Sequence, residues 1–132
     1  MQYIAVLAAA AGSYAFGAMW YMMLSRQWIA ASGVACDENG KPLNSSATPF
    51  IVSGIAMILV AGMMRHIFVM AQMSTLIEGI MGGFGIGLFL VVPWIVTNYA
   101  YSDRPRALML IDGGYAVAGC TIMGIILALF GL

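Results

Sequence analysis

The stretch TLIEGIMGGFGIGLFLVVPWIVTNY, Thr75–Tyr99, is too long and too apolar to fold against water. Its single charged residue is Glu78, beside its start. A hydrocarbon core about 30 Å thick is crossed by roughly 20 apolar residues of α-helix, so the stretch reads as one membrane crossing. Thr75 and Glu78 have the spacing of a capping box, in which side chains and backbone amides of the first turn satisfy one another. Pro93 is expected to bend the second half, as prolines in membrane helices commonly do. Gly79, Gly83 and Gly87 recur every fourth residue and share one helix face, flanked by Gly82 and Gly85. Lipid gives helices no hydrophobic drive to associate, so faces of small residues make close backbone contact instead. That face serves either packing inside a bundle or association with a second copy or a partner.

Three more segments read the same way. Helices are expected over about 2–24, 49–70 and 107–130, with a polar loop at 25–48. The fold class is all-α, an integral membrane bundle of four transmembrane helices forming a single domain over 1–132. Composition agrees: 63% of the 132 residues are hydrophobic and 8% are charged, against about 25% charged in soluble domains. Thr48 is placed to cap the second helix and Pro49 to occupy its first position. Met1–Ala11 is apolar, but Gln2 and Tyr3 lack the basic character of a signal-peptide start, so the first helix is expected to be retained. Formal net charge is zero, and no basic run marks a nucleic-acid surface; lipid is the expected surrounding. The Asn44-Ser45-Ser46 match to a glycosylation pattern is too short to carry weight. Cys36 lies in the polar loop and Cys120 in an apolar run, so both are expected as free thiols.

The polar residues fall into two groups. Arg26, Asn98, Arg104, Asp112 and Tyr115 converge on the end that carries the first and third loops. A carboxylate at the depth of Asp112 is costly unless paired, and an intramembrane charge suggests function by default. Arg104 or Arg26 is the expected partner, either as a structural clamp at a helix start or as part of a working site. Arg65, His66 and Glu78 gather at the opposite end, where a relay through His66 and Glu78 is conceivable. Only Ser53 and Thr121 lie between the two groups, too few for a continuous polar path.

Other chemistry finds little footing. Met63, Met64, His66, Met70 and Met73 resemble a soft-metal patch, but methionine is common filler, and neither a metal nor another cofactor is expected. Gly82–Gly87 has phosphate-loop spacing without the preceding strand that such a loop requires. A hydrolase needs nucleophile, base and orienting group, and the chain has one histidine and few acids. The chain is therefore expected to be non-enzymatic.

Gly17-Ala-Met-Trp20-Tyr21, followed by Trp28 and Ser32-Gly33, resembles the opening of the bacterial domain-of-unknown-function 1761 family. Glu78-Gly79, Pro93-Trp-Ile-Val-Thr97-Asn98-Tyr99, Arg104 and Leu110-Ile-Asp112-Gly-Gly-Tyr115 extend the resemblance over most of the chain. It implies a four-helix protein of a bacterial inner membrane and brings no activity or substrate with it. The leading functional expectation is an accessory or scaffold subunit, self-associated as a homo-oligomer or held in a larger membrane complex. The alternative is a small transporter or channel for a solute or proton.

Orientation follows from basic residues. Arg26, Lys41, Arg104 and Arg106 lie in or beside loops one and three, against Arg65 alone at the other end. Basic loops stay in the cytoplasm, so both termini are expected outside. Single cysteines placed at Asn44 and Ser102 in a cysteine-free variant should resist an impermeant thiol reagent in intact cells and react after lysis. Labelling of both before lysis would invert the topology.

Overall fold

The computed structural model describes residues 1–44 and 46–131; Ser45, the middle of the glycosylation pattern, lies outside them. Five helices make up the described chain: α1 (Gln2–Met23), α2 (Ser25–Ser32), α3 (Thr48–Met70), α4 (Leu76–Tyr101) and α5 (Arg106–Leu129). All but α2 are long and apolar enough to cross a membrane. The all-α bundle of four membrane-crossing helices is therefore the fold.

Each start has a local cause. At α4 the Glu78 amide donates to Thr75 Oγ1 at 3.2 Å, while the Thr75 and Ser74 amides donate to Glu78 Oε2 at 2.9 and 2.8 Å. Three otherwise orphaned amides are satisfied there. At α3 the expectation needs correction. Thr48 is already helical, Ala47 precedes the helix without a side-chain cap, and Pro49 lies in the first turn, where its missing N–H costs nothing.

The first loop also differs from expectation, because its first residues form the short helix α2. Eight residues cannot cross a bilayer. Gly33 ends the helix at φ +69°, a left-handed conformation that favours glycine. Beyond it Asp37 closes a tight turn, its Oδ1 accepting the Asn39 and Lys41 amides at 2.9 Å each. Gly40 at φ +77° supplies the reversal.

Pro93 leaves a different mark from a simple bend. Residues Gly87–Val91 form a π-helical turn, in which the Val92 amide donates to the Gly87 carbonyl. Proline two positions into the next turn has no N–H for the carbonyl four residues back and crowds it; a wider turn relieves both. The turn also corrects register. On a 3.6-residue helix a four-residue repeat drifts by roughly 40° per step. Taking up an extra residue offsets about 100° of that drift. The stripe Gly79–Gly83–Gly87 on one side of the turn thus continues into Val91, Ile95 and Tyr99, which face the bundle interior.

The glycine stripe packs on α5 of the same chain. A β-carbon at Gly79 would lie 2.6 Å from the Gly124 carbonyl oxygen, one at Gly83 2.9 Å from Thr121 Cα, and one at Gly87 2.7 Å from Val117 Cα. No side chain larger than hydrogen fits at any of the three. Helix α1 lies on the other side of α5, burying Ala5, Ala9, Ala10, Ser13 and Gly17. Helix α3 packs chiefly on α1 and meets α4 mainly near their connection, where Phe68 and Met73 cover Gly82. The termini end is consequently tight, with Phe68, Met64, Met123 and Leu127 fully buried. Toward the opposite end, called here the loop end, α3 leans away from α4. Outward residues such as Ile55, Leu59, Phe89 and Trp94 are exposed for lipid.

Gly83→Leu should lower stability by about 1–3 kcal/mol, the range for overpacking, and more if α4 and α5 separate. Gly85, with nothing within 4 Å of a β-carbon, is the control: Gly85→Ala should be neutral or gain up to about 1 kcal/mol from helix propensity. Thermal unfolding in mild detergent measures both. Equal behaviour of the two variants would remove the close-contact explanation.

Candidate functional site

Asp112 lies in the second turn of α5, half-buried, and its partners are two tyrosines. Tyr21 of α1 donates its hydroxyl to Oδ1 at 2.5 Å, and Tyr99 of α4 donates to Oδ2. One carboxylate thereby ties three membrane-crossing helices together. Hydrogen bonds to a charged acceptor are about twice as strong as neutral ones, and in a low-dielectric interior their loss is costly. The local sequence explains the convergence. Tyr21 sits in the last turn of α1, Tyr99 in the last turn of α4, and Asp112 near the start of α5, so antiparallel packing brings all three to one level.

The expected arginine partners are placed elsewhere. Arg104 Nη1 donates to the Ser32 carbonyl at 2.8 Å. The left-handed turn at Gly33 ends α2, and an arginine there satisfies a terminal carbonyl and suits the negative end of the helix. Arg26 is exposed on α2. Asn98 is exposed, and its backbone carbonyl accepts from Ser102 Oγ at 2.8 Å. The Asp112–arginine pair is thus replaced by a carboxylate held by hydroxyls, which bring donors to the site without a second charge to desolvate.

Tyr115 does come to the site, one helical turn deeper. Its hydroxyl lies 3.2 Å from the Ser13 carbonyl oxygen and 3.3 Å from Met57 Sδ. Its ring meets Tyr21 edge-on with centroids 5.5 Å apart. Space for that ring is made by Gly17, where a β-carbon would lie 2.8 Å from it. Trp20 steadies the same level by donating Nε1–H to the Ile111 carbonyl at 2.9 Å. At the other end Glu78 is occupied by its capping box, Arg65 is half-buried and His66 exposed. Among the described residues neither Arg65 nor His66 hydrogen-bonds Glu78, so that group does not assemble.

Because α3 leans away from α4, the space between α1, α3, α4 and α5 is a cavity of about 740 Å³. Asp112, Tyr21 and Tyr99 form its wall at the loop end, with Trp28 of α2 beside them. Ser13, Ser53 and Tyr115 line its middle, and Met57, Cys120 and Met123 its deep end. Both cysteines are free thiols, Cys120 buried and Cys36 partly exposed. Tyr21, Ser13, Met57 and Trp28 are site residues that the sequence reading did not gather. The available signal was Tyr21 itself, a hydroxyl at the end of α1 at the depth where Asp112 needed a donor.

Tyr21→Phe and Tyr99→Phe should each lower stability by about 1–3 kcal/mol, the cost of leaving a half-buried charged acceptor short of its donor. Asp112→Asn combined with Tyr21→Phe should cost less than the sum of the single changes, since the two residues share one interaction. Asp112→Asn combined with Arg104→Gln should simply add. Unfolding in detergent reads all of these, and recovery of stability on removing Arg104 would reinstate the ion pair.

No curated protein and no solved structure matches the chain. A protein-family model matches residues 4–128, from the first turn of α1 to the last of α5, and so takes in Tyr21, Tyr99 and Asp112 together. The chain therefore belongs to the family described as "Protein of unknown function (DUF1761)".

Proposed function

We propose that this membrane protein handles a small solute, binding it in the cavity around Asp112 and opening that cavity to either side of the bilayer. The observation that carries the reading is a cavity of about 740 Å³ with a carboxylate in its wall. Ligand sites are concave, of roughly 300–1,000 Å³, largely apolar, with a few convergent polar groups, and this one fits each term. Asp112 to Met123 covers roughly 16 Å of helix rise at 1.5 Å per residue. The cavity therefore reaches from near the loop end past the middle of a hydrocarbon core about 30 Å thick. A broken or widened helix beside a mid-membrane site is a recurring feature of transporters, and the π-helical turn of α4 adjoins this cavity through Val91.

The transport alternative thus gains over an accessory or scaffold subunit. The glycine face that suggested a homo-oligomer or partner contact is occupied by α5. The role is non-enzymatic: both oxygens of Asp112 are engaged by tyrosine hydroxyls, and the chain's one histidine, His66, is on the outer reach of α3. In this reading the loop end faces the cytoplasm of a bacterial cell, with both termini outside, on the basic-residue asymmetry already described.

The test uses a Cys36→Ser, Cys120→Ser background carrying Ser53→Cys on the cavity wall or Ile55→Cys on the lipid face. In sealed vesicles of each orientation, an impermeant methanethiosulfonate reagent should modify Ser53→Cys from both sides and leave Ile55→Cys unmodified. Reaction from one side only would reduce the cavity to a one-sided binding site and end the transport reading. No reaction from either side would show that water never enters it.

A further inference from the structure

We propose that the ligand of this cavity is an amphiphilic organic cation, a single ammonium group on an apolar tail, lying with its charge at Asp112 and its tail toward Met123. The inference rests on the solute-binding reading and names the ligand class of the same site. Its first ground is charge. Asp112 is the only carboxylate in the cavity wall among the described residues, and no lysine, arginine or histidine lines it. Arg104, the expected partner, is held at the Ser32 carbonyl. A buried charge is stable only when paired or otherwise compensated. The two tyrosine hydroxyls supply hydrogen bonds but no positive charge, and a carboxylate's remaining lone pairs stay free to accept more. A cationic ligand would complete the pairing that the chain itself leaves open.

The second ground is the company that the carboxylate keeps. Tyr21, Trp28, Tyr99 and Tyr115 all line the same part of the cavity, with Tyr21 edge-on to Trp28 at 6.4 Å and to Tyr115 at 5.5 Å. Aromatic faces attract ammonium groups, and they repel anions. An inorganic cation is disfavoured by the same wall, which offers one carboxylate and few oxygen ligands, where hard metal ions need six or more.

The third ground is the change of character with depth. Below Tyr115 the wall includes Met57, Val60, Gly119, Cys120 and Met123, a surface with no charge, whose one hydroxyl, Ser13, is turned to Met57 Sδ and Tyr115. Methionine and cysteine side chains are soft and adaptable packing partners for alkyl groups. A fully hydrated cation would waste that half of the cavity, and an uncharged hydrocarbon would leave the carboxylate without a counter-charge. Only a molecule polar and positive at one end matches both halves.

The test measures protection of Ser53→Cys, in the Cys36→Ser, Cys120→Ser background, from the neutral reagent N-ethylmaleimide. The protein is held in phosphatidylcholine nanodiscs, whose surface carries no net charge. Decyltrimethylammonium should slow the reaction about tenfold, while decyl sulfate, of equal chain length and opposite charge, should leave it nearly unchanged. Tetramethylammonium, without a tail, should protect far less. Asp112→Asn should abolish the protection and Asp112→Glu retain it. Equal protection by cation and anion would mean simple apolar filling and overturn the proposal, as would full protection in a folded Asp112→Asn variant. No protection by any of the three, at a cysteine that reacts readily, would also overturn it while leaving the solvent-accessible cavity intact. Should Asp112→Asn fail to fold, the cation-against-anion comparison on the Asp112 protein still decides.

Discussion

Backbone contact between α4 and α5 is the constraint on which the rest of the molecule hangs. In lipid the solvent is as apolar as the side chains, so helix association comes from close packing and hydrogen bonding. Gly79, Gly83 and Gly87 let the two backbones approach until a β-carbon would not fit. Gly124 answers Gly79 from the other side, where a β-carbon would lie 3.2 Å from Gly83 Cα. This seam fixes the depth of α5 against α4, and with it the level at which Asp112 meets Tyr99. A seam placed one turn higher or lower would leave the carboxylate facing hydrocarbon without its donor.

The π-helical turn links that seam to the site. A stripe repeating every four residues cannot stay on one face of a regular α-helix for long. By taking up an additional residue at Gly87–Val91, α4 keeps its glycines on α5 and still turns Tyr99 toward Asp112. Wide turns of this kind recur at functional sites, and here the mechanical reason is visible. Pro93 supplies the local instability that makes such a turn inexpensive, since a regular helix would already lack one hydrogen bond there.

The treatment of Asp112 shows how a membrane protein keeps one charge at modest cost. An arginine partner would neutralise it but would bring a second group to desolvate. Two tyrosine hydroxyls, each on an otherwise apolar ring, supply donors while adding to the packing of α1 and α4. Arg104 is freed for another task, holding the end of α2 at the Ser32 carbonyl. That contact keeps α2 folded over the loop end, with Trp28 beside the cavity. The cavity itself follows from the lean of α3, which is tight against its neighbours at Phe68 and open near Phe50, where Tyr14 reaches the Phe50 carbonyl at 3.3 Å.

Composition and local spacing determined the architecture: four apolar crossings, the capping box of Thr75 and Glu78, a close-packing glycine face and a carboxylate needing a partner. Each of these is a property of one helix and its solvent, so a single sequence displays it. Helix α2 was hidden because eight residues directly after α1 carry too short a period to separate from a loop. The partner of Asp112 was a different kind of omission. Charge complementarity favours arginine on paper, and only the rotation of α1 and α4 about their axes decides that Tyr21 and Tyr99 arrive instead. Whether the glycine face met α5 or another molecule was equally undetermined, because a stripe of glycines specifies close approach without naming the surface approached. The cavity is wholly tertiary: it is the space left when α3 packs on α1 and leans from α4, and no residue encodes it alone.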